Sequence, residues 1–152
     1  MATPLDAVDR AMVAALQRDG RLSLRALADA LQISRANAYA RFNRLVESGT
    51  IRGFTATVDY TSLGLQTSAY VEVSMEQNSW RSVRAALAKI PAVHHVTLLG
   101  GAFDALVLVR TEDNSGLRSV ILDELQSVPG ITSTRTLLIF EEITQPTPAG
   151  VG

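Results

Sequence analysis

Two short amphipathic stretches, LRALADAL at 24–31 and RANAYARFNRLVE at 35–47, lie three residues apart, and that spacing constrains the chain more than any other feature. Each follows a serine, Ser23 or Ser34, whose side-chain oxygen can accept from an unpaired N–H of the first helical turn. Leu24, Leu27, Ala28 and Leu31 form an apolar stripe along the first stretch, and Ser48-Gly49 stops the second. An earlier helix is predicted from Leu5, Val8, Met12, Ala15 and Leu16 at helical spacing, closed by Gly20. Three helices with a tight turn between the last two are the signature of a helix-turn-helix. The following TIRGFTATVD, rich in Thr, Ile, Phe and Val around Gly53, predicts a wing or connecting strand.

Charge is concentrated in the same region. The chain as a whole carries a formal net charge of -1. Residues 1–60 nevertheless hold eight arginines against six acidic residues, whereas 61–152 hold six basic against nine acidic. Within 21–52, Arg21, Arg25, Arg35, Arg41, Arg44 and Arg52 face only Asp29 and Glu47. Polyanion binding depends on such a local field rather than on the total. At about 100° per residue, Ala38, Phe42, Leu45 and Val46 are expected on the core side of the third helix. Asn37, Arg41 and Arg44 are expected on the opposite side, at i, i+4 and i+7, with Ser34 and Ser48 flanking and Arg35 in the first turn. Arginine grips phosphate or the guanine edge, and asparagine pairs with adenine in the same bidentate way. The candidate DNA contacts are therefore Ser23, Arg25, Ser34, Arg35, Asn37, Arg41, Arg44 and Arg52. A solvated helix face is the plainer reading of a charge run, but neither Arg41 nor Arg44 has an acidic residue at i±4.

From Thr67 the pattern changes. TSAYVEVS alternates Ala69, Val71 and Val73 against Tyr70, Glu72 and Ser74, as a half-buried strand does. Asn78 or Ser79 is expected to cap a helix with Trp80, Val83, Leu87 and Ile90 on one stripe. Two strands, VHHVTLL and DALVLVRT, are broken at Gly100-Gly101. Ser115 is expected to cap a helix bearing Leu117, Val120, Ile121, Leu125 and Val128, and TRTLLIFEEI to be the last strand. The order βαββαβ predicts a ferredoxin-like α+β sandwich. LAKIPAV and LQSVPGI form a faint internal repeat, each ending a helix and opening a strand. The runs VTLL, ALVLV and TLLIF alternate poorly, so both sheet faces are expected to be covered, one of them by a second copy of the chain.

Several function classes are excluded or thinly supported. At 152 residues, 47% hydrophobic and 19% charged, the chain can bury a core as one ordinary domain or two small ones. It has no cysteine, which excludes disulfides, thiolate zinc sites and a cysteine nucleophile. Adjacent in a strand, His94 and His95 are expected on opposite faces, wrong for one metal. Trp80 reads as packing, and Asp123-Glu124 and Glu141-Glu142 as solvated or interface pairs. No phosphate-binding loop, dinucleotide fingerprint or nucleophile triad is present, so no cofactor, metal or catalytic activity is expected. No apolar run reaches the ~18 residues of a membrane span. MATPLDAVDR lacks the basic and apolar parts of a signal peptide, which leads to a cytoplasmic expectation.

Taken together, LDAVDRAMVAALQRDGR, LADALQISRANAYARFNRLVESGTIRGFTATVD, LLGGAFDALVLV and VPGITSTRTLLIFEEI resemble the Lrp/AsnC (feast/famine) family of transcription regulators from Leu5 to about Ile143. The resemblance implies an N-terminal winged helix-turn-helix domain over 1–60 and a linker over 61–66. It also implies a ferredoxin-like effector-sensing and oligomerisation domain over 67–145, with a tail at 146–152. Implied partners are double-stranded DNA, a small amino acid or related metabolite, and further copies of the chain, from a homodimer up to an octamer. The effector is implied to bind where the second and third strands meet, here Leu99, Gly100, Gly101, Ala102, Phe103 and Asp104, with Thr134 and Thr136 as weaker candidates. Gln32 stands where the family often has glycine in the interhelical turn, so that turn need not use a left-handed residue. Arg35 follows the cap serine where many members have proline or a small residue, and Ala102 and Ala105 replace an acidic or polar and an aromatic residue of the loop.

The residues of GGAFD fit two readings. Paired glycines let backbone groups approach a ligand's carboxylate and ammonium, with Asp104 complementing the ammonium and Phe103 forming a wall. The same residues also suit a tight hairpin with aspartate in its turn. The functional alternatives are an effector-responsive regulator, an architectural protein that wraps DNA without an effector, and a small enzyme in a dimeric sheet cavity. The sheet strands offer almost no acid-base residues for the last.

Overall fold

A computed structural model describes residues 4–143, so the expected tail at 146–152 lies outside the described residues. The chain divides into two units, with the boundary at Thr57/Val58.

In the first unit, α1 spans Ala7–Arg18, α2 Leu24–Ala30 and α3 Arg35–Glu47. Ser23 and Ser34 cap α2 and α3 as expected, accepting from the N–H groups of Ala26 and Asn37 at 3.1 and 3.2 Å. Asp6 caps α1 reciprocally with Asp9, each side chain accepting from the other's backbone N–H. Met12, Ala15, Leu16, Leu27, Ala28, Ala38 and Leu45 form the core.

The turn between α2 and α3 keeps a left-handed residue although it has no glycine: Gln32 adopts φ 53°. The N–H of Ile33 reaches the Ala28 carbonyl and that of Gln32 the Asp29 carbonyl, a Schellman closure that requires this backbone. The crossing of the two helices thus outweighs the local preference of glutamine. Glycine removes the Cβ penalty of roughly 1–2 kcal/mol but gains freedom in the unfolded chain. We expect Gln32→Gly to stabilise the unit by about 0.5 kcal/mol, read from urea unfolding; a loss of stability would contradict the strain.

The segment expected as a wing or strand is neither. Residues 51–59 form no strand. The segment is instead held by Phe54, whose ring stacks on Phe42 at 6.3 Å and lies over Gly20, where an added Cβ would meet it at 3.1 Å.

The second unit opens with a hydrogen-bonded turn around Tyr60–Leu65, in which Asp59 also accepts from Thr61 and Ser62. The span 61–66, expected as a linker, is therefore locally ordered. Then follow β1 (Thr67–Met75), α4 (Trp80–Leu87), β2 (Val93–Leu98), β3 (Ala105–Thr111), α5 (Asn114–Ser119) and β4 (Ile131–Leu138). The strands pair antiparallel in the order β2-β3-β1-β4, which is the ferredoxin-like arrangement. Ala69, Val71, Val73, Ala105, Val107 and Val109 pack beneath the helices, against Val83, Leu87, Leu117, Val120 and Leu125.

Boundaries shift where side chains compete for the same backbone groups. Asp113, not Ser115, caps α5 by accepting from Gly116 N–H. The helix continues as a π-helical turn at Val120–Leu125. Ser79 sits at the cap of α4, yet its hydroxyl donates to the Glu76 carbonyl and caps nothing, while Asn78 adopts φ 71°. The last strand starts three residues before Thr134 and ends at Leu138. On the sheet face away from the helices, the cross-strand rows are His95–Leu108–Tyr70–Leu137 and Thr97–Leu106–Glu72–Arg135. That face is a mixture, leucine on β3 and polar on β1, rather than uniformly apolar.

Candidate DNA-reading face and sensing loop

Ala38 and Leu45 of α3 are buried in the helical core and Phe42 packs against it. Val46, expected in the core, is 44% exposed. The flank bearing Asn37, Arg41 and Arg44 does not point away from the unit but toward the start of α1. Arg41 donates from Nε to Asn37 Oδ1 at 2.9 Å, and from Nη1 to Asp6 Oδ2 and Asp9 Oδ1 at 2.7 Å each. Arg44 donates from Nη2 to both Asp9 oxygens at 2.7 and 2.6 Å. The Asp9 side chain is only 1% exposed, against 20% for Arg41 and 42% for Arg44.

The charges of this network hold each other in place. Burial pushes the Asp9 carboxyl up, but bonds from Arg41, from the Asp6 N–H and from Arg44 outweigh it and keep the carboxyl below its ordinary value. Asp6 is lowered by the Asp9 N–H and by Arg41, and Arg41 is raised in turn by Asp6 and Asp9. Asp6, Asn37, Ala40, Arg41 and Arg44 line an open cleft of about 300 Å³. The expectation that Arg41 and Arg44 project unpaired is thereby corrected. Their partners lie 32 and 35 residues away in sequence, beyond any i±4 test.

The side of α3 away from the core carries Ala36, Tyr39, Ala40, Asn43 and Glu47, all exposed, with Tyr39 60% exposed. Sequence reasoning missed these residues. Projecting the helix from Ala38 and Leu45 alone, without Val46, would have found them. Arg21, Arg25, Arg35 and Arg52 are exposed and hold no ion pair among the described residues.

In the second unit, residues 99–104 join β2 to β3. Asp104 accepts from Met75 N–H with Oδ2 at 2.8 Å, its own N–H bonds the Val73 carbonyl, and its carbonyl accepts from Leu99 N–H. The carboxylate therefore also closes the end of β1, a strand outside the β2–β3 connection. Phe103 is half-buried, and Ala102, Gly100 and Gly101 are exposed. Neither glycine has a positive φ, and a Cβ on either would meet nothing within 4 Å. Thr134 and Thr136 sit on β4, with β1 between them and the loop. Two strand spacings, roughly 10 Å, separate the two sets, so one chain does not bring them into contact. Thr134 instead accepts from Gln126 Nε2.

A further cluster was not anticipated. His94 occupies a bulge in β2, so the simple alternation of His94 and His95 fails there. Its ring packs edge-on against Tyr60 at 5.1 Å, and the Arg110 guanidinium lies 4.2 Å over the same Tyr60 ring. Arg110, 7% exposed, also donates to Ser68 Oγ and Glu142 Oε2. Burial, and then the Arg110 charge, push the His94 imidazole down.

A helix-turn-helix unit followed by a ferredoxin-like unit defines a two-domain DNA-binding regulator. Residues 5–46 match the AsnC-type helix-turn-helix domain, and residues 68–149 match the Lrp/AsnC ligand-binding domain. The chain is 31% identical to the HTH-type transcriptional regulator FL11 of Pyrococcus horikoshii over 93% of each chain. It is 33% identical to the HTH-type transcriptional regulator AldR of Mycolicibacterium smegmatis, over 97% of this chain and 88% of that one. Its fold superposes on the transcriptional regulator NMB0573 of Neisseria meningitidis, solved in complex with L-Met, with a TM-score of 0.85, 25% identity and 95% coverage of each chain. The chain belongs to the Lrp/AsnC family of transcriptional regulators. Among the described residues no helix is long and apolar enough to cross a membrane.

Proposed function

We propose that this regulator reads double-stranded DNA with α3, and that its DNA binding or assembly responds to a small amino acid or related metabolite held at residues 99–104. In this reading the exposed Arg25, Arg35 and Arg52, with the free hydroxyl hydrogens of Ser23 and Ser34, meet phosphates. Asn37, Tyr39 and Asn43 meet base edges. Copies pair through the open sheet face, where Leu106, Leu108 and Leu137 lie, into a homodimer that assembles further, up to an octamer, in the cytoplasm. The observation that carries the effector reading is the loop itself. It lies inside the segment matching a ligand-binding domain, and its two glycines are required neither by backbone strain nor by any neighbour within the chain. The L-Met bound to the Neisseria regulator supports an amino acid as the ligand class.

The test is a thermal-shift screen over amino acids and their 2-oxo acids, followed by DNA retention on the chain's own promoter with each hit. Gly101→Val and Asp104→Asn are expected to abolish the effector's influence and to leave effector-free DNA affinity within about twofold. Asparagine is used because Asp104→Ala would strand the Met75 N–H at about 1–3 kcal/mol. A wild-type effector response in both variants would reduce GGAFD to a turn. DNA binding with no hit in the screen would favour the effector-independent wrapping protein.

A further inference from the structure

By sequence α3 is a strongly basic helix, yet its folded surface is close to neutral. Of its three arginines, Arg41 and Arg44 are bonded to Asp6 and Asp9, and among the described residues only Arg35 remains without a carboxylate partner. Its outer side chains are Ala36, Tyr39, Ala40 and Asn43, with Glu47 at the end. Nonspecific DNA affinity arises from cations that displace counter-ions from phosphates, and an arginine already neutralised by a buried carboxylate contributes little to it. Discrimination between sequences is the difference between specific and generic affinity, so lowering the generic term raises it.

We propose that Asp6 and Asp9 are positioning residues that set DNA specificity: internal counter-ions that cancel Arg41 and Arg44, lower affinity for DNA in general, and leave recognition to the neutral outer side chains of α3. The proposal rests on α3 being the DNA-reading helix. The geometry supports a purpose beyond capping. The capping box uses one oxygen of each aspartate, Asp6 Oδ1 and Asp9 Oδ2. The Asp6 oxygen left over, Oδ2, accepts from Arg41, and that of Asp9, Oδ1, accepts from both arginines. The two guanidiniums are thus fixed at the wall of the open cleft, Arg41 by three bonds and Arg44 by two, with Arg44 Nε and Nη1 unpartnered among the described residues. They keep donors for a phosphate while their charge is spent inside the protein.

The experiment measures full-length protein binding to a mixed-sequence duplex of about 30 bp by fluorescence anisotropy across a salt series, with the chain's own promoter fragment in parallel. Asp6→Asn and Asp9→Asn keep the size and one acceptor oxygen for the cap, replace the other by an amide that cannot accept, and release one positive charge each. Each is expected to steepen the slope of log K against log salt by about one unit, and to tighten generic binding about tenfold at 0.1 M salt. The affinity ratio of promoter to mixed duplex should fall. A merely structural role would not move the slope. Should Asp9→Asn fail to fold, Asp6→Asn, at an exposed carboxylate, decides alone. A slope unchanged or shallower in the folded variants overturns the counter-ion role while leaving the DNA-reading role intact. Wild-type protein that binds neither duplex at any salt overturns both.

Discussion

Replacing Arg41 and Arg44 together by alanine is expected to destabilise the N-terminal unit by about 3 kcal/mol, a large share of what a unit of this size can spare. The loss would come less from missing contacts than from the Asp9 carboxylate left behind, 1% exposed and bonded only by the Asp6 N–H. Adding Asp9→Asn to the double variant should restore most of the loss, because a neutral amide tolerates that site far better than an unpaired anion. The sign of the pH dependence follows from the lowered Asp9 carboxyl. Its contribution is fully present above the unfolded value near 3.8 and is lost as pH falls through the depressed folded value. The gap between wild type and double variant should therefore be widest near neutrality. It should begin to narrow in mild acid, where the unpaired Asp9 carboxyl of the variant, raised by burial, takes up its proton, and close as pH falls through the depressed wild-type value. Urea unfolding at several pH values measures this. A double variant as stable as wild type at pH 7 would mean the network carries no weight.

Gly130→Ala is expected to cost the second unit about 3 kcal/mol through two effects at one atom. Gly130 has φ 96°, and a Cβ there would sit 2.7 Å from Ser79 Cβ and 3.3 Å from Val83 Cγ2. The backbone cannot retreat, because the Gly130 carbonyl accepts from Glu76 N–H. Adding Ser79→Gly should return the steric part and leave the conformational part, so the double variant should recover roughly half. A Gly130→Ala protein with an unchanged thermal midpoint would show that the approach of α4 to this turn is not tight.

What could be read from the sequence was set by how far apart the deciding residues lie. The caps at Ser23 and Ser34, the alternation of Ala69, Val71 and Val73, and the stop at Gly49 are local effects, and all are present. The left-handed conformation of Gln32 is not legible locally, because the crossing of α2 and α3 imposes it against glutamine's own preference. Ser115 lost its capping role to Asp113, and Ser79 turned its hydroxyl to a carbonyl, because each cap is a competition decided within two or three residues. The third helix forms over the stretch expected of it, but the surroundings of its arginines differ from the expectation. Including Val46 on the core side rotated the helix and turned the Arg41–Arg44 flank outward, and the carboxylates that claim this flank belong to another helix. The loop residues Leu99 to Asp104 do join β2 to β3, whereas Thr134 and Thr136 lie across β1 because strand order is not strand sequence.

Arg110 settles where the second unit begins and ends. The polypeptide arrives with Tyr60 lying against the guanidinium and departs with Glu142 bonded to it, so incoming and outgoing ends are buttoned to one side chain. A fragment trimmed to the strands, from Thr67 to Leu138, would keep the whole sheet and lose both fastenings, stranding that cation with only Ser68. A stand-alone sensing unit therefore has to be cut outside its last strands, from Val58 to Ile143.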